Sequence, residues 1–268
     1  MASLLVAAAL LWLVAAGRVR AARGPAAASW RRTALFLAGL GTIAVALESP
    51  IDAAATARFS AHMVQHLLLT LVAAPLLVLA RPVTLALQVA TPQARRRLVL
   101  PLLRSRPLAM LAWPPVAWCG FALVMWASHF SPLYDAALVT PGLHALEHLA
   151  YLGSALLFWS VVAGVDPSPA HLSHPARILY LFLAMPQMTF LGLAIYSARH
   201  VLYPAYGAGP VVLADQRLAG ALMGGGGVLV FLPAVGVLLL DWWAREERAA
   251  IRADARLDRA LGLGGDPS

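Results

Sequence analysis

Apolar residues fall into seven long runs, at about 2 to 17, 33 to 51, 62 to 80, 108 to 128, 144 to 164, 176 to 198 and 217 to 243, separated by short polar or arginine-rich connections. A helix needs about 20 mostly apolar residues to cross a bilayer. The pattern therefore predicts an all-α polytopic membrane helix bundle with seven transmembrane helices. The first run is short and alanine-rich, like a signal peptide. However, no basic residue precedes it, whereas Arg18, Arg20, Arg23, Arg31 and Arg32 follow it, the charge pattern of an anchor. Pro75, Pro114-Pro115, Pro186 and Pro233 fall inside runs and predict bends in spans 3, 4, 6 and 7. The Gly224–Gly227 run in span 7 reads as close helix packing before local unwinding. No soluble domain interrupts the pattern, so the organisation is a transmembrane domain over 1–243 and a cytoplasmic basic tail over 244–268.

Composition agrees: 61% of the 268 residues are hydrophobic and 12% charged, against roughly 45–50% and 25% in soluble domains. All 20 basic residues are arginine, and the sequence pI of 10.7 raises the question of nucleic acid. Placement answers it with no nucleic acid. The arginines sit between apolar runs, as topology signals and contacts to membrane lipids. The 1–2 connection holds the five named above, the 3–4 connection holds Arg81, Arg95, Arg96, Arg97, Arg104 and Arg106, and the tail holds Arg245, Arg248, Arg252, Arg256 and Arg259. The alternate connections carry only Arg58, Arg199 and Arg217. This asymmetry predicts the N-terminus out and the C-terminus in. Trp30 and Trp242-Trp243 fit an inner aromatic belt. The lone Cys119 excludes an internal disulfide and any paired-cysteine metal site.

With that topology, most intramembrane polar groups collect in the outer half. His62 and His66 lie one helical turn apart in span 3, and His144, Glu147 and His148 begin span 5 at the same level. Glu48 and Asp52 end span 2 there, and Asp215 and Gln216 begin span 7. Buried ionisable groups in a membrane are costly and face the bundle interior. The two histidine pairs are therefore the candidate metal ligands. Glu147 is placed to accept a second imidazole N–H and fix a tautomer, and Met188, Asp215 and Met223 are secondary contributors. Histidine with methionine and no cysteine pair favours copper, with zinc or haem as alternatives. His129 and His200 read as ordinary interfacial residues, His171 and His174 as loop residues, and Met185 and Met188 as packing beside Pro186 before ligation. For Asp215 a cap on span 7 is as good a reading as a site role.

His62-Met-Val-Gln-His66-Leu-Leu-Leu, Ala73-Ala-Pro-Leu-Leu-Val-Leu79, His144-Ala-Leu-Glu-His148, Met185-Pro-Gln-Met188, Leu202-Tyr-Pro-Ala-Tyr206 and Asp215-Gln-Arg-Leu-Ala-Gly-Ala-Leu-Met223 together resemble the polytopic CtaG family of cytochrome c oxidase (caa-type) assembly factors. The similarity runs from about residue 30 to 243. One departure is Met223-Gly-Gly-Gly-Gly227, where the family carries a bulkier residue, often tryptophan. The resemblance implies a multi-pass plasma-membrane protein that is not an enzyme and assists copper delivery or copper-centre maturation. Its implied partners are cytochrome c oxidase subunits and an outer-face copper chaperone. Outside the resemblance, three other functions use the same residues: an intramembrane zinc-dependent hydrolase, a haem-binding protein and a copper importer. The importer is disfavoured because the inner halves of spans 3 and 5 carry almost no polar residue after Thr70 and Ser160.

Overall fold

The computed structural model describes residues 1–131, 133–164 and 172–261, which form helices and no strand. In chain order these are α1 (Ala2–Arg23), α2 (Trp30–Glu48), α3 (Pro50–Ala55), α4 (Phe59–Leu67), a π segment (Leu68–Ala73), α5 (Ala74–Ala80), α6 (Pro82–Val89) and α7 (Pro92–Ala94). A second π segment (Arg95–Val99) leads to α8 (Leu100–Leu103), α9 (Arg106–Leu111), α10 (Pro114–His129), α11 (Leu133–Val139), α12 (Pro141–Ala163), α13 (His174–Ser197), a 3-10 turn (Pro204–Tyr206) and α14 (Pro210–Ala260). The chain is a helical membrane bundle. Among the described residues, six stretches are long and apolar enough to cross a membrane: Ala2–Arg23, Trp30–Glu48, Phe59–Val89, Pro141–Ala163, His174–Ser197 and Pro210–Leu257.

The expected fourth span is divided. Pro114 and Pro115 open α10 instead of bending a longer helix, because a proline in the first turn has no intrahelical N–H bond to lose. The 16 residues of α10 rise only about 24 Å, against about 30 Å of hydrocarbon. It still packs inward through Ala117, Phe121 and Met125. Helices α13 and α14 run unbroken through Pro186 and Pro233. The boundary expected at 244 lies inside α14, whose 51 residues span about 76 Å, so its C-terminal part extends beyond a bilayer.

The third span is shaped by Pro75. In the π segment Ala74 N–H bonds to Leu69 O, which assigns the Thr70 carbonyl to residue 75, and proline has no N–H to give. Trp159 of α12 fills the vacancy, its Nε1 donating to Thr70 O at 2.8 Å. The Thr70 hydroxyl donates back to His66 O at 2.6 Å. A π-bulge stapled to α12 thus lies one turn from the candidate histidines, a common association of such bulges with functional sites.

Further contacts fix the frame. Trp12 of α1 stacks on Phe36 of α2 with centroids 4.0 Å apart, and Arg20 donates to Ala28 O and Thr33 Oγ1. Trp12, Ala16 and Val19 share a core with Ala80 and Leu85, so the end of α1 that carries Arg18, Arg20 and Arg23 lies on the same face of the bundle as Arg81 at the end of α5. Helices α13 and α14 meet through glycine: a Cβ on Gly192 would lie 2.5 Å from Gly220 O, and one on Gly220 would lie 2.6 Å from Gly192 O. This close backbone approach is the small-residue packing that lipid-embedded helices use. The departure at 224–227 has a place there too, since a Cβ on Gly227 would come within 3.3 Å of Met188 Sδ.

Candidate metal centre

Helix α4 carries His62 and His66, and its N-cap Arg58 makes no side-chain cap bond. The cap comes from across the bundle. Asp215 of α14 accepts from Ser60 N–H at 3.1 Å and from the Ser60 hydroxyl. Asp215 is therefore neither a cap of its own helix nor among the imidazoles; it holds the first turn of the histidine-bearing helix. Gln65, on the same helix, donates to Ala46 O at 2.8 Å and Asp52 Oδ1 at 2.9 Å, which locks α4 against α2 and α3.

The two histidine pairs meet. Ring centroids lie 4.4 Å apart for His62 and His66, 5.3 Å for His62 and His144, 4.3 Å for His144 and His148, and 5.8 Å for His66 and His148. Donor atoms of His62, His66 and His148 all lie within 4.8 Å of one another, as do those of His62, His144 and Glu147. His62, His66 and His148 are buried. The Nε2 atoms of His62 and His66 approach to 2.9 Å, close to the roughly 3 Å between two nitrogens bound at about 2.0–2.1 Å to one ion.

Unpartnered atoms concentrate here. His66 Nδ1, His144 Nε2, His148 Nε2 and both Glu147 carboxylate oxygens are buried without a hydrogen-bond partner. Each such group costs about 1–3 kcal/mol, and a cation within the ring of donors would satisfy several at once. The donor set therefore fits a metal ion. The Glu147 oxygens face the Nε2 atoms of His62 and His66 at 3.8 and 4.0 Å, on the side where ligands converge, and among the described residues accept no N–H. An apolar cavity of about 280 Å³ between α10 and α12 reaches Glu147 and Tyr151.

The outer hydrogen bond belongs to Tyr206. Its hydroxyl donates to Ala55 O at 3.2 Å and lies 3.2 Å from His62 Nδ1. A hydroxyl with its hydrogen committed to a carbonyl faces the imidazole as an acceptor, so Nδ1 carries the proton and Nε2 is bare toward the cluster. Tyr134 adds a hydroxyl contact to Tyr206 at 3.1 Å. Burial pushes the Tyr206 phenol above the ordinary tyrosine value, so it remains a neutral hydroxyl. Gln216 steadies this loop, accepting from Leu202 N at 2.7 Å and donating to His200 O at 3.2 Å.

The remaining candidates sit elsewhere. Met188 packs against Gly227, and Met223 is buried in the common core with it. Gln187 accepts from Trp126 Nε1 at 3.1 Å, while the ring of His174 lies 3.2 Å from Asp241. His171 is outside the described residues. His129 departs from its bland reading: it is buried, 6.2 Å from His66 by ring centroid. Composition gave no sign of this. Tyr203 and Tyr206 stand in the sequence only within the Leu202–Tyr206 motif of the family resemblance.

Residues 10–245 match the sequence family described as cytochrome c oxidase caa3 assembly factor. The chain belongs to that family. Its relatives include an uncharacterized protein of Mycobacterium bovis and one of Mycobacterium tuberculosis, each 31% identical over 245 residues, covering 85% of this chain and 36% of the relative. A third, from Mycobacterium leprae, is 28% identical over 259 residues, covering 91% of this chain and 39% of the relative. The chain thus spans little more than a third of the length of these relatives. No solved structure matches it. Every element that builds the histidine cluster, from α3 to the first turns of α14, lies inside the caa3 assembly factor match.

Proposed function

We propose that the chain assists cytochrome c oxidase assembly at the plasma membrane by holding copper in an outward-facing site formed by His62, His66, His144 and His148, and passing it toward the oxidase. Family membership supports the assembly role, and the convergence of buried, unpartnered imidazole nitrogens supports a metal. Copper is cargo in this account. Tyr206 keeps the His62 proton on Nδ1 and Nε2 free. Asp215 and Gln65 hold α4 in register, and Glu147 balances the charge of a cation. Neutral imidazoles from two helices can release an ion one bond at a time, as stepwise relay requires.

Import is less favoured. Beyond Thr70 lies an aromatic layer in which Phe158 is 4.6 Å from Phe121, 4.9 Å from Tyr180 and 5.9 Å from Phe231, a poor lining for an ion path. Haem is less favoured as well, since the ring of His62 packs against those of His66, His144 and His148. One observation favours a second function: three histidine donors beside Glu147, with an apolar cavity reaching that carboxylate, is also the arrangement of a zinc hydrolase acting on a lipid. Tightly bound zinc with lipid hydrolysis lost in Glu147→Gln would establish it.

The cellular test is oxidase copper content and activity in cells carrying a His66→Ala/His148→Ala variant that reaches the membrane at normal levels. Both fall if the cluster handles copper for the oxidase. Full activity with full copper loading contradicts the proposal.

A further inference from the structure

His129 is held so that one of its ring nitrogens has no proton. Its Nδ1 lies 2.7 Å from Met125 O, and a carbonyl can only accept, so Nδ1 is the protonated nitrogen. Tyr203 donates to the His129 carbonyl at 2.9 Å, which fixes the residue at the end of α10. The bare Nε2 then points at Met63 Sδ, 3.3 Å away. Neither atom has a hydrogen to offer the other. Both are lone-pair donors, and both residues are almost wholly buried. Met63 stands beside His62 on α4, so this pair borders the imidazole cluster, with His66 as the common neighbour.

We propose that Met63 Sδ and His129 Nε2 form a second, soft site for copper(I) next to the histidine cluster. A thioether selects Cu(I) over harder divalent ions. With bonds of about 2.0 Å to nitrogen and 2.3 Å to sulfur, a donor separation of 3.3 Å gives an angle near 100°. That angle is far from linear and leaves room for another donor. Cargo could pass between the thioether pair and the imidazoles by exchange of one ligand at a time, without a change of oxidation state. This site rests on the copper account above but uses residues that account does not need.

The test is Cu(I) titration of the purified full chain in detergent under reducing conditions, with X-ray absorption to detect sulfur bound to copper. Wild type is expected to take up two equivalents and show a sulfur shell. Met63→Leu, close in size, and His129→Gln should each keep one equivalent and lose the sulfur shell, with thermal unfolding near that of wild type. His66→Ala/His148→Ala should keep the sulfur shell. Copper held by nitrogen alone in wild type, or an unchanged sulfur signal in Met63→Leu, overturns the second site and leaves the imidazole site standing. A sulfur shell that depends on Met63 while the double histidine variant loses no copper supports the second site and overturns the first. No Cu(I) uptake by wild type overturns both.

Discussion

Asp215 and Ser60 are 155 residues apart in sequence, yet the Asp215 carboxylate takes both the backbone N–H and the hydroxyl of Ser60. A carboxylate at the first turn of a helix satisfies a donor that the helix cannot and opposes the positive end of its dipole. The partner helix thus supplies the cap that Arg58 does not provide. Asp215→Ala should lower stability by about 1–3 kcal/mol and loosen metal binding, because α4 loses its anchor. Asp215→Asn, which can still accept one bond, should fall between. Thermal unfolding in detergent and metal titration on the same samples check this; equal stability of all three proteins would show that the cap is incidental.

Tyr206 is the tautomer-setting contact of His62. Tyr206→Phe keeps the ring and removes the hydroxyl, so the loss should fall on metal affinity, by about 10–100-fold as for other outer hydrogen bonds to ligating histidines. The unfolding temperature should move little. Competition titration measures the affinity, and unchanged affinity would mean that His62 holds its tautomer without Tyr206.

The glycine seam gives a sharper steric forecast. Gly192→Ala and Gly220→Ala each place a Cβ about 2.5–2.6 Å from the opposite backbone, so α13 and α14 must separate, at a cost of about 1–3 kcal/mol. Gly225 and Gly236 lie on the same helix with nothing within 4 Å of an added Cβ, and alanine there should be neutral or stabilising by up to about 1 kcal/mol. Yield and thermal stability of the four variants separate the two classes.

The sequence made the helical membrane class and the two histidine pairs visible because both depend on short-range periodicity. A run of apolar residues and an i, i+4 spacing survive without knowledge of neighbours. What it hid depends on contacts across the bundle. His129 looked like a lone interfacial histidine because its sulfur partner, Met63, is 66 positions away. Asp215 reads equally as a local cap or a site residue, because nothing near it in sequence marks Ser60 as its partner. Pro114-Pro115 looked like a bend, since an apolar run continues through a helix start as readily as through a kink. Glu147 was legible as a neighbour of the ligands, while the side from which its oxygens approach is set by how α12 is rotated against α4.

Equilibrium dialysis of the purified protein against copper, followed by elemental analysis, reads the occupancy of the imidazole cluster itself. Wild type should retain copper in preference to zinc, and His66→Ala/His148→Ala, verified as folded by its unfolding transition, should lose the copper held by the imidazole cluster. The same copper content in both proteins would contradict a metal site at His62, His66, His144 and His148.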